Sequence, residues 1–142
     1  MSYASQSDLV SRYGTPMLID LTDRAEPPAG VIDAAVVSQA LADADAAIDG
    51  YLLGRYTLPL ATTPPLLRDL AVPIAVYKLH RDSVSDKVRS DYLDALKILS
   101  QISTGVVRLA VAGIEPTASG ASGVRTTDRA RPLTPENLKG FI

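Results

Sequence analysis

The chain has 142 residues, 46% of them hydrophobic, with six Tyr, one Phe and neither Trp nor Cys. That length supports one domain with a true core, and the core must be aliphatic, which favours helix-on-helix packing over a β-sandwich. The lack of cysteine excludes disulfides, thiolate nucleophiles and thiolate zinc sites, and a net charge of −2 argues against a dedicated nucleic-acid binder.

In chain order, Ser5 or Ser7 caps a short first helix through Tyr13, with Gly14 just past its end. Thr15-Pro16 restarts a helical turn, with Thr15 as N-cap and Met17, Leu18, Ile19 and Leu21 as its apolar content. The stretch Asp23-Arg24-Ala25-Glu26-Pro27-Pro28-Ala29-Gly30 reads as a loop. Asp33 then caps the first long helix, about 34–55, whose stripe of Val37, Leu41, Ala44, Ile48 and Leu52 recurs every three or four residues. Asp43, Asp45 and Asp49 occupy its other faces; Asp45 and Asp49 lie one turn apart, but no His joins them, so a solvated face is expected there and not a metal site.

The second long helix begins near Pro64-Pro65 and runs to about Ser83, apolar nearly all round, which places it in the middle of a bundle. Pro73 inside it predicts a bend, not a break, because the apolar pattern continues on both sides. Asp86 caps a third long helix, about 87–103, with a stripe of Val88, Tyr92, Ala95, Leu96, Leu99 and Ile102, ended by Gly105. Val106-Val107-Arg108-Leu109-Ala110-Val111 reads as a short strand or hairpin element. It needs a partner, either a neighbouring subunit or none if the segment is irregular. The expected fold is therefore mainly α: a bundle of three long helices with short N-terminal helices, one β element and an extended C-terminal tail.

The composition changes after Gly113. Glu115-Pro116-Thr117-Ala118-Ser119-Gly120-Ala121-Ser122-Gly123 is linker-like, and the remainder buries too little apolar area to order alone. The chain divides into a helical domain at 1–112 and a tail at 113–142 that docks on a partner. Charge is also segregated: residues 1–54 carry −6, residues 55–114 carry +3 and residues 115–142 carry +1. Opposite signs either cancel within one molecule or meet across a head-to-tail interface between copies. Asp43, Asp49, Arg55, Val107 and Leu109 are the candidate inter-subunit residues.

No catalytic constellation emerges. His80 is the only histidine, and His80-Arg81-Asp82 has the lettering of a kinase catalytic loop without the Gly-rich loop or Asp-Phe-Gly that chemistry needs. Gly120-Ala121-Ser122-Gly123 is followed by no Lys-Ser/Thr and opens no helix, so it is no phosphate loop. No nucleophile is paired with a base. The expectation is a protein that is not an enzyme, with no cofactor and no metal. No apolar run approaches the ~20 residues of a membrane span, and Met1-Ser2-Tyr3-Ala4-Ser5 lacks the features of a secretory leader, which fits synthesis in a reducing cytoplasm.

A resemblance runs along residues 3–112. Asp8-Leu9-Val10-Ser11-Arg12-Tyr13-Gly14, Leu21-Thr22-Asp23-Arg24 and Ile48-Asp49-Gly50-Tyr51-Leu52 occur in order with Arg55-Tyr56-Thr57-Leu58-Pro59-Leu60. Pro64-Pro65-Leu66-Leu67, Tyr92-Leu93-Asp94-Ala95-Leu96 and Ile102-Ser103-Thr104-Gly105 follow. Together they resemble Mu-like phage head-tail connector proteins; Pro73 departs from the polar residue expected in its helix. The resemblance implies a structural adaptor: a homo-oligomeric, twelve-fold ring beneath the portal that joins the head to the neck or tail. Its implied partners are the portal, a tail-side connector or stopper protein, and double-stranded DNA passing through the channel without sequence readout. It implies a place in the virion at the head-tail interface, after synthesis in the host bacterial cytoplasm. By the same resemblance the tail docks on the portal, with Leu133, Leu138, Phe141 and Ile142 as anchors and Arg129 and Arg131 as basic neighbours. The alternative is a DNA-contacting module of a mobile element, acting through residues 55–114 and the tail.

Overall fold

In the computed structural model, which describes residues 2–111 and Gly140, Ser5 opens helix α1 (Gln6–Tyr13) with a capping box. The Ser5 side chain accepts from the Asp8 amide while the Asp8 carboxylate takes the Ser5 N–H at 2.8 Å, so two otherwise orphaned donors are satisfied reciprocally. Helix α2 (Thr15–Thr22) starts one residue earlier than expected: its N-cap is Gly14, at φ 83°, and Thr15 is already helical. Glycine opens that backbone region at no steric cost, which allows the chain to turn at once from one helix into the next. The buried Thr22 hydroxyl donates to the Leu18 carbonyl at 2.7 Å and accepts the Asp33 N–H at 3.1 Å, tying the end of α2 to the start of α3.

Helix α3 (Ala34–Leu52) is capped by Asp33, whose carboxylate accepts from the amides of Ala35 and Val36. Its stripe of Val37, Leu41, Ala44, Ile48 and Leu52 is buried as the spacing predicts. The helix stops at Leu52, short of 55: Gly50 and Gly54 flank its end as two weak helix formers, and the Arg55 amide tightens onto the Leu52 carbonyl at 2.9 Å. Arg55 therefore belongs to the junction and not to the helix.

Helix α4 (Pro65–Leu79) is the centre of the bundle. It packs against both α3 and α5, which also meet each other, and it buries Leu67, Leu70 and every residue from Ala71 to Val76. The helix continues through the buried Pro73. It ends at Leu79 and not near Ser83, since His80 takes an extended backbone with ψ 133°. The His80 ring lies on the Val76 carbonyl at 2.8 Å; a carbonyl only accepts, so Nδ1 carries the proton. His80-Arg81-Asp82 thus falls in the turn after α4.

Helix α5 (Asp86–Thr104) takes Ser85 as its N-cap in place of Asp86. Both side chains suit the role, and with Ser85 there Asp86 sits in the first turn, where a carboxylate is favoured by the helix dipole. Val88, Ala95, Leu99 and Ile102 are buried, and Tyr92 stacks on Tyr77 with ring centroids 3.9 Å apart. The expected strand at 106–111 does not form, and no β-strand occurs among the described residues. The backbone donors of that segment are spent on the bundle: the Val107 N–H returns to the Gln101 carbonyl at 3.1 Å and the Leu109 N–H goes to the Tyr56 hydroxyl at 3.1 Å. β-branched content suggested a ladder; tertiary hydrogen bonds decided otherwise.

Candidate interaction surface

The C-terminal ends of α3 and α5 meet at one end of the bundle, and two contacts lock them. Gly105 ends α5 in the left-handed region at φ 84°, and the Arg55 guanidinium packs so tightly on it that a Cβ at this position would lie 2.4 Å from Nη1. The cation sits at the negative end of the α5 dipole. Beside it, the Tyr56 ring is buried and its hydroxyl accepts the Leu109 amide. Tyrosine suits this place because its ring fills apolar space while its hydroxyl serves a backbone group that would otherwise be buried without a partner. The segment after α5 is therefore fastened to the end of the bundle at Val107 and Leu109.

Beside this lock two large apolar side chains are exposed. Leu53, the C-cap of α3, is 72% exposed and Val106, just past α5, is 74% exposed. Neither 50–67 nor 95–111 contains an Asp or Glu, while Arg55, Lys97 and Arg108 lie within them. Of the candidate inter-subunit residues, Arg55, Val107 and Leu109 gather at this end, though Leu109 is buried within its own chain. Asp43 and Asp49 lie on α3, Asp49 one turn before Leu53. Asp43 is exposed and accepts from Gln39 at 2.9 Å.

Asp45 and Asp49 do not form a solvated face. Tyr3, itself buried, donates its N–H to Asp45 at 2.9 Å and its hydroxyl to Asp49, clamping the N-terminal segment onto α3. Burial first, then the hydrogen bond to Asp49, pushes the Tyr3 hydroxyl well above the ordinary tyrosine range. Burial likewise raises Asp45. Among the described residues no group of three or more His, Asp or Glu could hold a metal ion, and no helix is long and apolar enough to cross a membrane. Arg129, Arg131, Leu133, Leu138, Phe141 and Ile142 lie outside the described residues.

The roles of Tyr3 and Tyr56, and the packing of Arg55 on Gly105, did not emerge from the sequence. Composition held one usable signal: in a core with almost no aromatic residues, a tyrosine amid leucines has to find a polar partner for its hydroxyl.

The family model described as Bacteriophage Mu, Gp36 matches residues 3–127. The chain belongs to the Bacteriophage Mu Gp36 family. Among similar curated proteins, the Mu-like prophage FluMu protein gp36 of Haemophilus influenzae (strain ATCC 51907 / DSM 11121 / KW20 / Rd) is 33% identical over 140 residues, 99% of this chain and 98% of that protein. Gene product J of Escherichia phage Mu is 32% identical over 142 residues, all of both chains. The matched region of this Gp36-family member contains the whole α3–α5 lock, including Arg55, Tyr56 and Gly105.

Proposed function

We propose that this Mu-like phage protein is a structural head-tail connector: copies form a ring beneath the portal, join the head to the neck or tail, and line the channel through which DNA leaves. The reading needs no catalysis and no cofactor. Its partners are further copies of itself, the portal, a tail-side connector or stopper, and DNA held without sequence readout.

One observation carries this reading. The bundle end built by Arg55, Gly105, Tyr56 and Leu109 fastens the segment after α5 beside exposed Leu53 and Val106. A fastened segment beside exposed apolar side chains suits a domain that hands its last thirty or so residues to another protein. Those residues carry the apolar Leu133, Leu138, Phe141 and Ile142 with Arg129 and Arg131 as basic neighbours, a composition suited to ordering against a partner.

The test is co-purification with the portal protein of the same phage, using this chain full length and truncated after Gly113. The full-length chain is expected to bring portal with it and the truncated chain to fold without doing so. Retained portal binding by the truncated chain rejects the tail's role. Failure of the full-length chain to bind portal rejects the connector reading itself, and steeply salt-dependent binding to free DNA in its place supports a DNA-contacting module.

A further inference from the structure

The first described residues are joined to the bundle differently from the helices that follow. Tyr3 and Ala4 are buried, with 2% and 5% of their surfaces exposed, yet residues 2–4 belong to no helix. Among the described residues, the hydrogen bonds that cross from them to the bundle end on two carboxylates of α3. The Tyr3 N–H donates to Asp45 at 2.9 Å and the Tyr3 hydroxyl to Asp49, one turn further along; the Ser2 side chain adds to the hold on Asp45. Helix α1 does not depend on this attachment. Ser5 caps it, and the Asp8 carboxylate takes the Ser5 amide in return.

We propose that residues 2–4 form a latch that lifts off α3 while the bundle stays folded, and that loss of a proton from Asp45 favours the lifted state. A segment tied through side-chain acceptors leaves without breaking any helical ladder, so its opening separates from global unfolding. Burial of the Tyr3 ring keeps the closed form in the majority. Lifting bares the α3 surface around Asp45 and Asp49. That surface ends one turn before the exposed Leu53, so the latch sets how much of α3 is uncovered beside it.

The direction of the pH effect follows from the groups that face Asp45. They are Asp49 on its own helix, the Tyr3 amide and Ser2 side chain of the latch, and the α-amino group of the chain. Burial raises the carboxyl and outweighs the lowering by Tyr3, Ser2 and the α-amino charge, while Asp49 raises it further. Through its contact with Asp45 the latch is part of that cover, and lifting it lets water in. The closed form therefore holds a proton at a pH where the open form has released it. Closure is favoured in acid, opening grows as pH rises above the ordinary carboxylate range, and the effect levels off once both forms are ionised. Tyr3 stays protonated throughout, because burial and Asp49 push its hydroxyl further up.

The chain lacks cysteine, so one introduced thiol reports alone. Ala4→Cys places it in the latch and Ala71→Cys in the buried centre of α4, each in the full-length chain. Labelling with dithiodipyridine runs from about pH 4 to about pH 6.5, where the α-amino group stays charged. Each rate is scaled to that of the urea-unfolded protein at the same pH. Position 4 should react at least about tenfold faster than position 71, and low urea should speed only the reaction at 71. Protection at position 4 should fall with pH, by at most about tenfold per pH unit, and Asp45→Asn should abolish that fall. Protection of the Tyr3 amide against hydrogen exchange repeats the measurement without a substitution in the latch. Equal rates and equal urea dependence at the two positions overturn the proposal, because the segment then leaves only when the bundle unfolds. Protection at position 4 that is independent of pH in the parent, or a fall that survives Asp45→Asn, overturns it too.

Discussion

Arg12 donates from Nη1 to the backbone carbonyl of Asp69 at 3.2 Å, and that carbonyl is the one Pro73 leaves without its helical N–H donor. A second guanidinium nitrogen reaches the Asp69 carboxylate at 3.5 Å. The last turn of α1 thus supplies what proline removes from α4, and the two helices are joined where the central helix is weakest. A proline inside a helix costs on the order of 3 kcal/mol when nothing compensates. Here a neighbouring helix offsets part of it.

Arg12→Ala should therefore destabilise the domain by about 0.5–1 kcal/mol, a modest loss because both side chains are half exposed and water can reach the carbonyl. In a Pro73→Ala background the cost should fall towards zero, since the new amide at 73 bonds to Asp69 in the ordinary way. A double-mutant cycle followed by urea denaturation measures this coupling. Equal costs in both backgrounds would show that Arg12 acts through something other than the orphaned carbonyl.

Tyr56→Phe removes the acceptor of the Leu109 amide and leaves the ring's packing in place. Leu109 is buried, so its unpaired N–H should cost about 1–3 kcal/mol. Amide exchange at Leu109 should accelerate along with that of Val107, whose own bond to Gln101 holds the same segment, while the α3 core amides keep their protection relative to global stability. Unchanged exchange at Leu109 would mean the phenol is not its partner in solution.

How far the sequence led depends on how local each cause is. The α3 stripe was readable because burial there repeats with the helix period, and Asp33 and Gly105 were readable as a cap and a stop because each acts within a few residues. The 106–111 segment was misread for the opposite reason: Val106, Val107 and Val111 favour a strand locally, but Tyr56 and Gln101 take the amides that a strand would have paired. Likewise the charge of Asp45 and Asp49 suggested solvent, and only the fold brings Tyr3 across them. The Arg12–Asp69 contact needs two helices in register and leaves no local trace. For the candidate surface, Arg55, Val107 and Leu109 were named from the sequence, whereas the exposure of Leu53 and Val106 follows from where α3 and α5 stop.

Gly105→Ala should be unusually costly for a surface cap. The left-handed backbone at φ 84° accounts for about 1 kcal/mol on its own, and the new methyl group must also displace the Arg55 guanidinium. Combining Gly105→Ala with Arg55→Ala should recover the second part and leave the first, so the two single costs will exceed the double. Thermal denaturation of the four proteins checks it; strict additivity would place Arg55 away from Gly105 in solution.

Asp45 gives the fold a pH dependence of defined sign. Its carboxyl is raised above the ordinary 3.8 chiefly by burial, against the lowering effect of the Tyr3 amide. In the window above 3.8 the native state holds a proton that the unfolded chain has released, so this group's contribution falls as pH rises through the window and levels off above the native value. Asp45→Asn keeps an oxygen to accept the Tyr3 N–H and removes the titration. The stability of the variant relative to the parent should therefore increase from acid towards neutral pH and then become constant. Asp8 works in the reverse direction, because hydrogen bonds from the Ser5 hydroxyl and amide lower it; its share is present in both proteins and cancels in the difference. Urea denaturation of the pair across this range decides it, and a difference independent of pH would mean Asp45 is as solvated in the folded protein as in the unfolded one.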